Sequence, residues 1–287
     1  MNRIKIGFMA SLGYSRMPPQ DVVRSLRSIG YQGVEWTLAH FNPRTQSPAE
    51  LRRLVEITRN GGLEISAVVV QQDVVCLDEA RRADRIRLAL ECIEAAGEVG
   101  VRTLNFFTGP APWDPEAPVV DRHISMGAAW EQVFEAYDRF VPAAERAGVA
   151  LAVEGVWGQL CHDYFTTRYL IDHYGKDRLG VNFDPSHDTL YGHTDTGWLV
   201  RQWGSTIKHC HLKDAAGVPA TGRFVFPFLG EGFVNWTAFF GALDDIGYDG
   251  FCSVEFESFG YLRHVMGDDI ETAARMSFEQ ICALRGG

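Results

Sequence analysis

Eight short apolar, β-branched runs recur along the 287-residue chain, and between them lie stretches with helical periodicity, a glycine often closing the helix just before the next strand. The strands are expected near Ile4–Ala10, Gly33–Ala39, Leu63–Val70, Thr103–Phe107, Ala150–Gly155, Leu179–Asp184, Ile207–Lys213 and Phe251–Glu257. Helices are expected near Pro19–Ile29, Pro48–Arg59, Asp78–Val99, His123–Ala147, Thr166–Tyr174, Thr196–Trp203, Trp236–Ile246 and Asp268–Leu284. Phrases such as SIGYQGVEW, EVGVRTLNF, RAGVALAVE and DIGYDGFCSVE repeat one cadence of helix end, glycine turn and buried strand. That cadence predicts an α/β fold, a single (β/α)8 TIM barrel spanning 1–287, because no linker or low-complexity tract divides the chain. Ser47 before Pro48 predicts a capped helix start.

Where the strands stop, polar residues appear. Glu154, Asp184, His211 and Glu255 end the runs LAVEG, GVNFDPSH, IKHCHLKD and CSVEFES. In a parallel barrel the carboxyl ends of the strands converge on one face, where active sites are built. The intervals from Glu154 to Asp184 and on to His211 each suit one βα unit, and the longer interval to Glu255 exceeds them by about the loop Ala215–Val234. Three carboxylates and one imidazole meeting in a desolvated space repel one another unless a divalent cation neutralises them. An oxygen-rich set with one imidazole and no thiolate favours Mn²⁺, with Mg²⁺ or Co²⁺ as substitutes, over structural zinc. Two loops, Gly109–Val119 with Trp113 and Ala215–Val234, exceed the usual βα length and are expected to overhang the site as lids or binding loops.

Composition narrows the partners. A hydrophobic fraction of 46% with 22% charged residues describes a globular chain, and no apolar run reaches the ~20 residues of a membrane helix. The formal charge of -10 disfavours phosphate backbones, so no nucleic acid and no membrane partner are expected, and small substrates of low charge fit better. The six cysteines lack CxxC spacing and are read as buried reduced thiols, and with no secretion signal at the start a cytoplasmic location is the default.

The chain resembles the xylose isomerase-like TIM barrels, which include sugar isomerases and epimerases, inosose dehydratase and endonuclease IV. The resemblance runs along essentially its whole length. It is carried by Phe183-Asp184-Pro185-Ser186-His187, by His209-Cys210-His211-Leu212-Lys213-Asp214, and by Leu229-Gly230-Glu231-Gly232 followed by Val234-Asn235-Trp236. It implies metal binding by Glu154, Asp184, His211 and Glu255, and a substrate contact for His187. In the sugar-epimerase branch the glutamates of the fifth and eighth strands also move protons, so Glu154 and Glu255 become the expected catalytic pair. A cation held by a carbonyl and its neighbouring hydroxyl stabilises an enediolate, from which isomerisation, epimerisation and β-elimination all proceed. Family members often associate, so a homo-oligomer is allowed for.

The expected activity is therefore a divalent-metal-dependent sugar isomerase or epimerase acting on a small ketose or related polyol carbonyl compound. The alternative is an inosose dehydratase-like lyase. Ketose 3-epimerases carry a further glutamate and arginine where this chain has Leu160 and Gly217, which speaks against a simple ketohexose 3-epimerase. Arg223 is the expected substitute for that arginine. An abasic-site endonuclease needs extra histidines, whereas the fourth strand here reads Asn105-Phe106-Phe107; a sugar binder without turnover would not need two glutamates placed for proton transfer. Trp113 is expected to stack on the substrate and Lys213 to steady a developing oxyanion. Glu35, His40 and His162 are read as structural or exposed, and Asp214 as a cap at the start of the following loop.

Overall fold

The structure, a computed structural model, describes residues 4–192 and 194–286. The single-domain expectation over 1–287 also takes in residues 1–3, 193 and 287, which lie outside the described residues. Eight strands close into a parallel barrel: β1 (Lys5–Met9), β2 (Gly33–Thr37), β3 (Glu64–Val70), β4 (Thr103–Phe106), β5 (Ala150–Glu154), β6 (Gly180–Phe183), β7 (Ile207–Leu212) and β10 (Phe251–Val254). Each pairs with its neighbours in chain order, and β10 returns to β1 with Lys5 opposite Phe251. Between β7 and β10 an antiparallel pair, β8 (Ala216–Gly217) and β9 (Phe224–Val225), stands above the barrel.

The outer layer comprises α1 (Pro19–Ile29), α2 (Pro48–Asn60), α3 (Glu79–Val99), α4 (Met126–Ala147), α5 (Tyr164–Tyr174), α6 (Pro185–Tyr191), α7 (Thr196–Trp203), α8 (Trp236–Asp245), α9 (Phe259–His264) and α10 (Ile270–Gly286). The capping predicted at Ser47 is present, its hydroxyl accepting from Glu50 N (3.3 Å) while Glu50 Oε2 accepts from Ser47 N (2.7 Å). Two short helices, α6 and α9, escape the sequence pattern because six or seven residues are too few to show a period. Helix α4 begins at Met126 rather than His123, since Ser125 caps it through Ala128 N. No helix among the described residues is long and apolar enough to cross a membrane.

The apolar core lies between barrel and helices, where Val34, Val68, Leu104, Leu151, Val181 and Leu212 face outward onto residues such as Leu26, Ile93, Phe140 and Phe239. The barrel interior is instead polar. Ser66 Oγ lies 3.0 Å from Ser253 Oγ, which lies 3.0 Å from His209 Nε2, and His209 Nδ1 lies 3.0 Å from Asn182 Oδ1. Asn182 Nδ2 then donates to Glu154 (3.1 Å), so a chain of bonds climbs from the barrel's middle to its carboxyl-end mouth. Gly7 leaves room for it: a Cβ there would come within 2.7 Å of Ser253 Oγ.

Candidate metal centre

Glu154 is the last residue of β5, Asp184 and Glu255 directly follow β6 and β10, and His211 is the penultimate residue of β7. The barrel brings all four together, with ligating atoms within 4.8 Å of one another, and all four are buried. Each is held by neighbours that the strand pattern does not name. Asn105 Nδ2 and Asn182 Nδ2 both donate to Glu154 Oε2, at 2.8 and 3.1 Å, which turns Oε1 toward His211 Nδ1 at 3.0 Å. Asp184 Oδ1 accepts from Ser186 N (2.8 Å) as the cap of α6, leaving Oδ2 buried and without a hydrogen bond, although Lys213 Nζ lies 3.1 Å away.

Glu35, in the middle of β2, is fully buried and faces His211 Nε2 at 3.1 Å. A carboxylate there keeps the imidazole proton on Nε2 and leaves Nδ1 free toward Glu154 and Glu255, as metal-ligating histidines commonly require. Burial opposes a charge on His211, but Glu154, Glu35 and Glu255 outweigh it and hold its pKa well above the ordinary histidine value. Burial likewise opposes charge on Glu255, and Lys213 and His211 overcome it, keeping that carboxyl well below its usual range. Asp184 goes the other way: burial pushes it up to about 6 against the pull of Lys213.

Lys213 Nζ is buried beside the acids, hydrogen-bonded to Glu255 Oε2 and 3.2 Å from Glu257 Oε2, which gives the ammonium a partner outside the four-ligand set. His187 is buried next to it. Trp157 N donates to His187 Nδ1 (3.3 Å), while Nε2 lies 3.2 Å from Lys213 Nζ and 3.4 Å from Asp184 Oδ2. Burial and the adjacent Lys213 hold His187 well below the ordinary histidine pKa, so it is neutral.

Above these groups opens a cavity of about 840 Å³. Glu154, His187, Lys213 and Glu255 line it, as does Trp113, which is 57% exposed at its rim. Arg223 does not join them. It is exposed on the bend before β9 and is absent from the cavity wall, to which its neighbours Phe224 and Val225 contribute instead. His40 is buried against Trp36 and faces Met17 O, and His162 faces the carbonyl of Gln159. Neither lines the cavity.

Asp214 does more than cap. Its Oδ1 accepts from Ala215 N and Val234 N, and its Oδ2 from Gly230 N, Gly232 N and Trp236 Nε1, at 2.8 to 3.1 Å. One buried carboxylate thus collects both ends of the loop over the site. The LGEG and VNW segments supply its donors, and a Cβ on Gly232 would come within 2.1 Å of Asp214 Oδ1. Glu35, the middle residue of β2, escapes the strand-end rule that found the ligands, and a lone carboxylate inside an apolar run is a weak signal. Glu257, which ends the expected eighth strand on the face of Glu255, carried the same strand-end signal, whereas Trp157 and Phe226 carried none, since long-range folding alone brings them to the mouth.

Three buried carboxylates and an imidazole at the carboxyl end of a closed parallel barrel, beneath an open cavity, define a class: TIM barrels whose strand ends can hold a divalent cation. The model of the xylose isomerase-like TIM barrel family matches residues 23–280, and the chain belongs to that family. An uncharacterised protein of Bacillus subtilis (strain 168), YfiH, is 24% identical, the match covering 86% of this chain and 90% of that one. Among solved structures, an IolI protein with a binding zinc atom superposes with a TM-score of 0.77 at 17% identity over 98% of both chains. An L-ribulose 3-epimerase superposes with a TM-score of 0.74 at 19% identity over 98% of this chain and 96% of its own.

Proposed function

We propose that this chain is a divalent-metal-dependent sugar isomerase or epimerase acting on a small ketose or related polyol carbonyl compound. The observation that carries the reading is the convergence of Glu154, Asp184, His211 and Glu255, of which Glu154 and Glu255 line the floor of one cavity. The donor set fits a divalent cation: three carboxylates, one imidazole whose far nitrogen faces Glu35, and a buried Asp184 oxygen without a hydrogen bond. Mn²⁺ suits such ligands, with Mg²⁺ or Co²⁺ in its place, and the zinc atom of the similar IolI structure supports a divalent ion in a barrel of this kind. A bound cation supplies the positive charge that offsets negative charge developing on a substrate's carbonyl and hydroxyl oxygens.

The chain's own groups do the rest. Glu154, with one oxygen pinned by two asparagine amides, removes a proton from the carbon beside the carbonyl. Glu255, on the other side of the site, takes a proton from the Lys213 ammonium hydrogen-bonded to its Oε2 and returns it to the substrate carbon, leaving Lys213 neutral and Glu154 protonated. His187 hydrogen-bonds a substrate oxygen through Nε2, and Trp113 at the rim stacks on the bound molecule. The epimerase likeness of the fold supports this assignment.

A second reading is favoured by Lys213. An ammonium between Glu255 and His187 is a proton source for a departing β-hydroxyl, as a lyase requires. Incubating the Mg²⁺-loaded protein with a ketose and keto-polyol panel in D₂O, followed by proton NMR, tests both. Solvent deuterium at a stereocentre without loss of water supports the isomerase or epimerase, and a dehydrated product supports the lyase. Saturating metal binding with neither outcome across the panel would refute the proposal.

A further inference from the structure

The cavity over the metal centre is divided by chemistry. Its floor is ionic, but from that floor an unbroken aromatic wall climbs to solvent. Lys213 Nζ lies 4.7 Å from the ring centre of Phe226, Phe226 lies 5.0 Å from Phe224, and Phe224 meets Trp157 edge-on at 4.7 Å. Trp157 then lies 6.3 Å from Trp113 at the exposed rim. This wall is rigidly backed, for Trp157 packs in an apolar cluster with Met9, Val69 and Leu190 against which Phe224 and Phe226 rest. Across the mouth, Phe259 and Val265 continue the apolar lining.

A free ketose presents hydroxyls on every side, each needing a hydrogen-bond partner once removed from water. Above the ionic floor the cavity offers few: Ser258 Oγ already donates to Phe226 O (2.8 Å), and beyond Gln71, Tyr261 and the indole N–H groups of Trp113 and Trp157 the lining there is aromatic or aliphatic carbon. The volume of about 840 Å³ also lies toward the upper end of pockets that enclose drug-sized ligands. A small sugar at the floor would leave most of the aromatic surface wet.

We propose that the substrate is a keto-sugar bearing a bulky apolar, aromatic substituent, with its carbonyl end at the ionic floor and the substituent ring along Phe226, Phe224 and Trp157. The inference rests on the carbonyl chemistry proposed for the metal centre. It adds a specificity element: aromatic surfaces bind one another edge-on or offset, and the wall presents four such rings in sequence.

Two 3-keto-glucosides that differ only in the aglycone, phenyl or methyl, test it on the full-length Mg²⁺-loaded protein. Solvent-deuterium incorporation read by NMR measures turnover, and quenching of tryptophan fluorescence measures binding. The phenyl compound is expected to bind at least tenfold tighter and to exchange with a correspondingly higher kcat/KM. Phe224→Ala brings the ratio toward one and Phe224→Tyr retains it. Trp113→Ala probes the outer end of the wall without touching its buried part, and should lower the ratio two- to fivefold. Equal binding and exchange of both compounds overturns the aromatic-substituent inference and leaves the carbonyl chemistry standing. Tenfold preferential binding without exchange supports the wall and removes the catalytic reading. Neither binding preference nor exchange overturns both.

Discussion

Replacing Asp214 by asparagine removes a charge yet almost no volume, so its effect isolates the hydrogen bonds that gather the loop over the site. The carboxylate accepts from five donors, two on one oxygen and three on the other. An asparagine keeps one acceptor oxygen, and its best orientation places that oxygen toward Gly230 N, Gly232 N and Trp236 Nε1. The amide NH₂ then faces Ala215 N and Val234 N, two donors in buried surroundings with no acceptor left. Hydrogen bonds to a charged group contribute roughly 1.5–3 kcal/mol each, and a buried donor left unsatisfied costs about 1–3 kcal/mol. Losing two therefore costs about 3–5 kcal/mol, a large share of the ~5–15 kcal/mol that holds an ordinary domain together. Urea unfolding of the two proteins gives the stability difference, and limited proteolysis within 215–234 reports whether the loop is released. Gly232→Ala, whose methyl would crowd the same carboxylate oxygen, should release the loop too and combine less than additively with Asp214→Asn. A loss below about 1 kcal/mol together with unchanged proteolysis would refute the reasoning.

Other outcomes are equally specific. Asp184→Asn should abolish most of the thermal stabilisation that Mn²⁺ confers, which for the parent protein is about 2.7 kcal/mol at a hundredfold excess over Kd; differential scanning fluorimetry with and without metal checks this. Glu35→Gln should weaken metal binding about 10–100-fold in calorimetric titration while the chain stays folded, because the carboxylate fixing His211 is lost but its volume is kept. Glu154→Gln or Glu255→Gln should each suppress solvent-deuterium exchange by at least about a hundredfold, the range expected of a group that transfers a proton, with metal still bound. Burial pushes Asp188 up to about 7, so the folded protein holds a proton that the unfolded chain has lost at lower pH, and stability falls as pH rises through that window. Asp188→Asn, which keeps an acceptor for Tyr164 N, should gain melting temperature relative to the parent between pH 5 and 8 in chelator, and parallel curves would count against the assignment.

The barrel was legible in the linear chain because its signals are local. Strand runs, glycine stops and caps such as Ser47 are set by neighbours a few residues away, and the eight expected strands all form with ends shifted by at most three residues. The four ligand candidates followed from one topological fact, that parallel strands deliver their carboxyl ends to the same face. What remained was decided by contacts between residues far apart in sequence. That Glu35 meets His211 across the barrel, that Lys213 sits among the acids, and that Arg223 faces solvent while Phe224 and Phe226 join Trp157 all depend on closure and on the course of one long loop. Periodicity determines which way a side chain points from its own strand, whereas only the closed tertiary structure determines what it then meets, because burial and the fields of neighbouring charges are properties of the assembled barrel.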